Sequence, residues 1–383
     1  MNSFEEILKD ARTLVKDRTY PKAREWKEKG GKVIGCFPVW SPFELYHAGG
    51  LLPVGLLGGG GEIEIAHADA RFQSFVCSIA KTTLEMGFRG LLTPFDAVVF
   101  HSICDVARNT ASVIKRNFPN LQVEYIHYPQ TTSDGAGILF FTGELSRLKK
   151  RIEEGVVGRE IHEDEIRESI RVYNRSREWI RKLYEYRTLF PHLLSTVELY
   201  LLLRVGTLLP PEEHQSLLNE AWNTLKTREG KERDRVRVII EGSFCEQPPL
   251  ELLEVIETAG CAVVNDDLLA GWRWFMKDVP LHGDPIRNLT DAFINLGDYS
   301  SVRYDPKRSR PDALVERMKK AGAQAVVFCN AKFCEPALFD FVLYRKRLEE
   351  EEIPHLMIEF EEKQWTFDRV QNEVETFVES ILF

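Results

Sequence analysis

KVIGCFPVWSPFELYHAGGLLPVGLL (32–57) is the stretch that decides the fold. Its opening KVIGCF is an apolar run too short for a helix, and it reads as a parallel strand buried on both faces. SPFELYHAGG then supplies a polar helix start and a glycine stop, and LLPVGLL is a second short apolar run. A strand, a helix and a strand in that order form one unit of a parallel sheet. Outward from it the alternation returns with DAVVFHS (96–102), a helix over VARNTASVIKRNF (106–118) and the strand VEYIHY (123–128). These make a first α/β domain over 31–142, preceded by a helical segment over 1–30. From Gly143 the pattern turns to charged helical periodicity, as in EDEIRESIRVYNRSREWIRKLYEYR (163–187), and a helical region is expected over 143–232. Strands resume with VRVIIEGS (236–243), CAVVND (261–266), AQAVVFCN (323–330) and PHLMIEF (354–360), a second α/β domain over 233–383. The expected class is α/β: two doubly wound, mostly parallel-sheet domains of flavodoxin or Rossmann type, with a helical insert between them. Such sheets bind ligands at the carboxyl ends of their strands, where connections reverse direction.

Composition narrows the function classes. The 383 residues exceed one ordinary core, and 44% hydrophobic with 28% charged residues is ordinary for soluble domains. Asp and Glu number 59 against 50 Lys and Arg, a net charge of -9 that speaks against a nucleic-acid partner. No run of about 18 apolar residues is present, so no membrane association is expected. The N-terminus reads as a charged amphipathic helix, and a cytoplasmic location is expected. GLLGGGGE (55–62) lacks the G-K-[ST] of a phosphate-cradling loop and does not fit G-x-G-x-x-G. It reads as a tight turn more readily than as a contact to a nucleotide-containing ligand.

Seven cysteines, an odd number, argue against a complete disulfide framework. Three share one context: FHSICDV (Cys104), IEGSFCEQPP (Cys245) and CNAKFCEPA (Cys334) each lie just past an apolar strand and precede an acidic residue. A cysteine between a strand end and a helix start meets backbone N–H groups and the positive helix terminus, which favour the metal-binding thiolate. Cys77, at an expected helix start, is the natural fourth member. Thiolates gathered from distant loops suit an iron-sulfur cluster, zinc or a nucleophilic thiol, and no C-x₂₋₄-C pair marks a zinc site. The competing reading is scattered buried cysteines. For Cys36, Cys261 and Cys329, within or at the edge of strands, burial is the preferred reading. His47, His101 and His282 near strand ends or loops, and Glu246 beside Cys245, are candidate proton donors, although a single histidine is more often structural. Asp266 and Asp267 read equally as a strand-end cap and as an acidic dyad.

Several stretches carry a resemblance to a known family. PVWSPFELYHAGGLLPVGL (38–56), with its P-x-E and A-G-G-x-L-P elements, and the trio Cys77, Cys104 and Cys334 resemble the benzoyl-CoA reductase and 2-hydroxyacyl-CoA dehydratase superfamily over nearly the whole chain. SICDV, GSFCEQPPL, AGCAVVNDDLLAGWRWF (259–275) and GDPIRNLTDAF (283–293) look like the smaller cluster-binding subunit of its ATP-dependent benzoyl-CoA reductases. The resemblance implies one 4Fe-4S cluster held by Cys77, Cys104 and Cys334, leaving one iron without a cysteine, while the role of Cys245 is not set by the shared pattern. Double-cubane relatives carry a further cysteine in the interval GFRGLLTPFDAVVF (87–100), which here has none. It further implies a related, larger cluster-binding partner and an aryl-CoA substrate. Activator subunits bridging another 4Fe-4S cluster would hydrolyse ATP with Mg²⁺ and pass electrons from reduced ferredoxin. The implied reaction is reduction of the aromatic ring to a cyclic dienoyl-CoA. The alternatives are a 2-hydroxyacyl-CoA dehydratase subunit and an electron-transfer subunit whose cluster never meets substrate.

Overall fold

A computed structural model describes residues 3–132, 135–242, 244–269, 277–295, 309–361 and 366–383. Among the described residues, eight strands form two four-stranded, all-parallel sheets. The first contains β1 (Lys32–Cys36), β2 (Leu51–Gly55), β3 (Ala97–His101) and β4 (Gln122–Ile126) in the order β2-β1-β3-β4. The second contains β5 (Val236–Glu241), β6 (Cys261–Asp266), β7 (Ala325–Ala331) and β8 (His355–Phe360) in the order β6-β5-β7-β8. Both sheets thus share one topology, the doubly wound α/β architecture expected from the strand pattern. Every residue of β2, β3 and β7 is buried, as in sheets covered on both faces. In each sheet the direction of winding reverses between the two central strands, β1 and β3 or β5 and β7, which creates a crevice at their carboxyl ends.

Helices and apolar surface tie the two sheets into interleaved cores. The first core takes side chains from β1 to β4 and also from helix Pro285–Asn295, which follows β6 in the chain. Phe293 of that helix meets Phe141, Trp40 and Tyr128 at ring separations of 4.5, 4.8 and 5.0 Å. The second core takes helix Phe4–Lys16, packed on helix Thr196–Val205. Ser3 and Glu6 form a reciprocal cap at the start of that first helix. Helix Glu163–Leu189, about 40 Å long at 1.5 Å per residue, places Ile166 and Ile170 in the first core and Leu183 and Tyr184 in the second. It acts as a strut between the sheets. Among the described residues no helix is long and apolar enough to cross a membrane.

The segment between β2 and helix Ser78–Phe88 is held by a buried carboxylate. Glu85 accepts from the N–H groups of Ala66, His67 and Ala68 at 3.1, 2.7 and 3.0 Å, and its second oxygen lies 2.9 Å from His67 Nδ1. Burial alone would raise its pKa, but these donors outweigh burial and hold it at about 2 against an ordinary 4.5. The depressed value contributes on the order of 3 kcal/mol of stability. That contribution is fully present above pH 4.5 and is lost as pH falls towards 2. Glu85→Gln is expected to lower the unfolding free energy at pH 7 by about 3 kcal/mol and to flatten the acid limb of a stability-versus-pH curve. An unchanged acid limb would count against this anchoring role.

Candidate functional site

Three of the candidate cysteines begin helices. Cys77 caps Ser78–Phe88, Cys104 caps Asp105–Asn117 after β3, and Cys334 caps Glu335–Glu350 after β7. Cys104 Sγ accepts from the Ala107 N–H at 3.4 Å, so its sulfur directly serves an orphan donor of the helix start. Cys334 follows Phe333, whose φ of 64° marks a tight left-handed turn off β7. Cys245 lies past the end of β5, in a loop that turns at Gly242 with φ 94°. A Cβ at Gly242 would stand 2.0 Å from Asn330 Oδ1 of β7, so only glycine lets this loop run close beside the neighbouring strand. Ser243 lies outside the described residues.

The structure brings these four sulfurs together. The thiols of Cys245 and Cys334 are hydrogen-bonded to each other, and Cys77 and Cys104 stand near enough to both for their charges to interact. The Cys334 bond, together with burial, pushes Cys245 well above its ordinary value, and the same bond holds Cys334 below it. Burial pushes Cys77 and Cys104 up, with the Ala107 N–H opposing it at Cys104. Among the described residues no three His, Cys, Asp or Glu side chains close on a single-ion position. Four sulfur donors are soft ligands of the type that iron-sulfur clusters take. The donor chemistry therefore fits a sulfur-ligated cluster.

Glu246 ties the crevice across the two halves of the chain. Its carboxylate accepts from Ser78 Oγ and from the Ile79 N–H at 3.2 Å, capping from outside the helix that begins at Cys77. Burial pushes its carboxyl up to about 7 against those two bonds. Beside it opens a cavity of about 260 Å³ lined in part by Lys16, Arg18, Gly60, Ile79, Arg204 and Glu246. No sequence signal marks this cavity, because its basic residues come from unrelated helix ends.

The other candidates lie elsewhere. His101 ends β3, fully buried; burial lowers its pKa to about 3, and its ring stacks on Tyr128 at 5.4 Å. Neither ring nitrogen has a hydrogen-bond partner among the described residues. A neutral ring of this kind holds no ionised proton to give at pH 7. His47 is engaged by Ser169 at 2.9 Å and Glu212 at 3.3 Å, and His282 is exposed. Cys36, Cys261 and Cys329 are free and fully buried within β1, β6 and β7. The 55–62 loop is a tight turn: Gly58 and Gly60 have φ of 73° and 58°, and a Cβ at Gly59 would stand 2.5 Å from Ile63. Of AGCAVVNDDLLAGWRWF, residues 270–275 lie outside the described residues.

Asp266 and Asp267 separate into two structural roles. Asp266 forms a 2.6 Å ion pair with Arg187, both almost fully buried, and accepts from Tyr184 Oη at 2.8 Å. Asp267 accepts from the Gly242 N–H at 2.9 Å and so steadies the loop leading to Cys245. Arg187→Met strands Asp266 and is expected to cost about 3–5 kcal/mol in chemical denaturation. A stability change below about 1 kcal/mol would refute the structural reading.

Comparison of the sequence with known proteins gives the chain its family. Residues 38–381 match the family described as 2-hydroxyglutaryl-CoA dehydratase, D-component, and the chain belongs to that family. It is 36% identical over 382 residues to a subunit of the benzoyl-CoA reductase of Thauera aromatica, covering 99% of each chain. It is also 25% identical over 381 residues to the (R)-phenyllactyl-CoA dehydratase beta subunit of Clostridium sporogenes, covering 100% of each. With the beta subunit of (R)-2-hydroxyglutaryl-CoA dehydratase from Acidaminococcus fermentans it shares 27% over 385 residues, 100% of this chain and 98% of that one. Its relatives are thus subunits of enzymes acting on CoA thioesters, some named reductase and others dehydratase.

Proposed function

We propose that this chain is the smaller iron-sulfur subunit of an ATP-dependent benzoyl-CoA reductase, holding one 4Fe-4S cluster on Cys77, Cys104 and Cys334. The observation that carries the reading is the proximity of these thiols, which come from two strand ends and a helix start and stand near enough for their charges to interact. The 36% identity to a reductase subunit, against 25–27% to the dehydratase subunits, supports ring reduction of benzoyl-CoA or a close analogue to a cyclic dienoyl-CoA. When bound, such a cluster takes up and hands on single electrons at low potential. The residues around it supply the environment. Helix N-termini at Cys77, Cys104 and Cys334 favour the thiolates against the opposing effect of burial, burial excludes water, and Glu246 fixes the Cys77 helix against the second half of the chain.

The reading includes partners that would bring ATP hydrolysis and electrons: Mg²⁺- and ATP-using activator subunits with a bridging 4Fe-4S cluster, fed by reduced ferredoxin. It also includes a larger cluster-binding sister subunit. Apolar exposure beside the crevice supports such a sister surface. Phe75 and Phe333 flank Cys77 and Cys334, and Phe339, Val342 and Leu343 share one face of the helix opening at Cys334, exposed by 73, 55 and 52%. A dehydratase subunit is the second reading, favoured by the description of the matched family. A cytoplasmic location belongs to either.

The reconstituted, anaerobically purified complex offers the test. It is expected to turn over benzoyl-CoA with ferredoxin and ATP, whereas turnover of 2-hydroxyacyl-CoA alone would select the dehydratase reading. Cys77→Ser, Cys104→Ser and Cys334→Ser are each expected to shed iron and to lower activity at least about tenfold. Cys261→Ser should keep its iron and lose only about 1–3 kcal/mol of stability from burying a hydroxyl. Full iron in all three ligand variants would refute the assignment. Phe339→Asp is expected to weaken co-purification with the larger subunit by about 2 kcal/mol or more, and an unaltered complex would exclude that face as the contact.

A further inference from the structure

We infer that Cys245 is the fourth cysteine ligand, so that the cluster of this chain is closed on protein sulfur and exposes no iron to substrate. The inference rests on the cluster reading above and goes beyond the three-cysteine set that reading contains. Cys245 is buried, its thiol is bonded to Cys334, and it interacts with Cys77 and Cys104 as well. Its loop is pinned on both sides. Before it, Gly242 passes against Asn330 of β7 and donates to Asp267; after it, Glu246 is bonded to Ser78 and Ile79, the residues that follow Cys77. A side chain between two such anchors cannot swing away without breaking one of them.

The shared topology explains the asymmetry between the halves. In the second sheet both central strands end in a cysteine loop, β5 with Cys245 and β7 with Cys334. In the first sheet only β3 does so, with Cys104, while β1 runs into FPVWSP, which has none. The crevice between the sheets therefore receives two sulfurs from each half of the chain once Cys77 is counted. Ligation by Cys245 exchanges an iron–oxygen bond to a hydroxide for an iron–sulfur bond. The thiol proton leaves on the displaced hydroxide as water, and no electron is transferred. With each iron corner held by thiolate, the cluster acts by electron transfer alone, and any iron that meets the aryl-CoA belongs to the larger subunit.

The test reads ligand exchange and not turnover. Brief ferricyanide oxidation removes an iron that no cysteine holds and leaves a 3Fe-4S cluster with its own electron paramagnetic resonance signal. In the intact complex we expect at most one convertible cluster per pair of sister subunits, and Cys245→Ala should add a second while keeping about four irons in this chain before oxidation. Before oxidation, cyanide should shift the resonance of that variant's reduced 4Fe-4S cluster by binding the iron that no cysteine holds, and Cys245→Ser should restore resistance in part. Two convertible clusters in the unaltered complex, or a Cys245→Ala variant indistinguishable from it, would overturn the inference. The first of these outcomes needs no variant to fold. If Cys77→Ala, Cys104→Ala and Cys334→Ala all retain full iron, the cluster reading itself fails. If they lose iron while Cys245→Ala behaves as the unaltered protein, the three-cysteine reading stands and the fourth ligand alone is refuted.

Discussion

The crevice exists because a carboxylate from one half of the chain satisfies the helix start of the other. Glu246 reaches from the loop after β5 to the Ile79 N–H and the Ser78 hydroxyl, groups that a buried helix start would otherwise leave without partners. Burial raises the carboxyl to about 7, so this contact is made at some electrostatic cost, and its two bonds partly offset that cost. Cys77 and Cys245 each stand one residue from the joined groups. Their approach follows from the position of this single contact.

The surrounding architecture keeps that contact from loosening. The two cores are not separate packages: helix Pro285–Asn295 crosses back to complete the first, and helix Phe4–Lys16 completes the second. Helix Glu163–Leu189 runs through both, anchored near one end by the buried Arg187–Asp266 pair. Opening the crevice would expose apolar surface from both cores. Such rigidity suits a site whose geometry has to be held by its supporting shell.

Six of the seven cysteines fall into two environments that position relative to a strand end separates, while Cys77 begins a helix after a loop. Cys36, Cys261 and Cys329 sit within strands, where both faces of the sheet are covered; burial drives their thiols towards the neutral form, as it also does at Cys77, Cys104 and Cys245. Cys104, Cys245 and Cys334 lie past strand ends, where the chain leaves the sheet and meets helix termini. That distinction was legible in the sequence, because a short apolar run locates the strand and the residue after it locates the cysteine. The Asp266–Asp267 pair shows the opposite case. Two adjacent acids at a strand end look alike in the sequence, yet one faces Arg187 and the other a backbone N–H.

The sequence by itself determined the parallel α/β class, the strand positions and which cysteines stand at strand ends, since these depend on apolar periodicity and chain order, both local properties. Tertiary structure alone decided that Cys245 joins Cys334, that Glu246 caps the Cys77 helix and that His101 is sealed against Tyr128 as a neutral ring. Those outcomes depend on distances between groups far apart in the chain, which only the packing of both sheets sets, and on burial that no residue type announces.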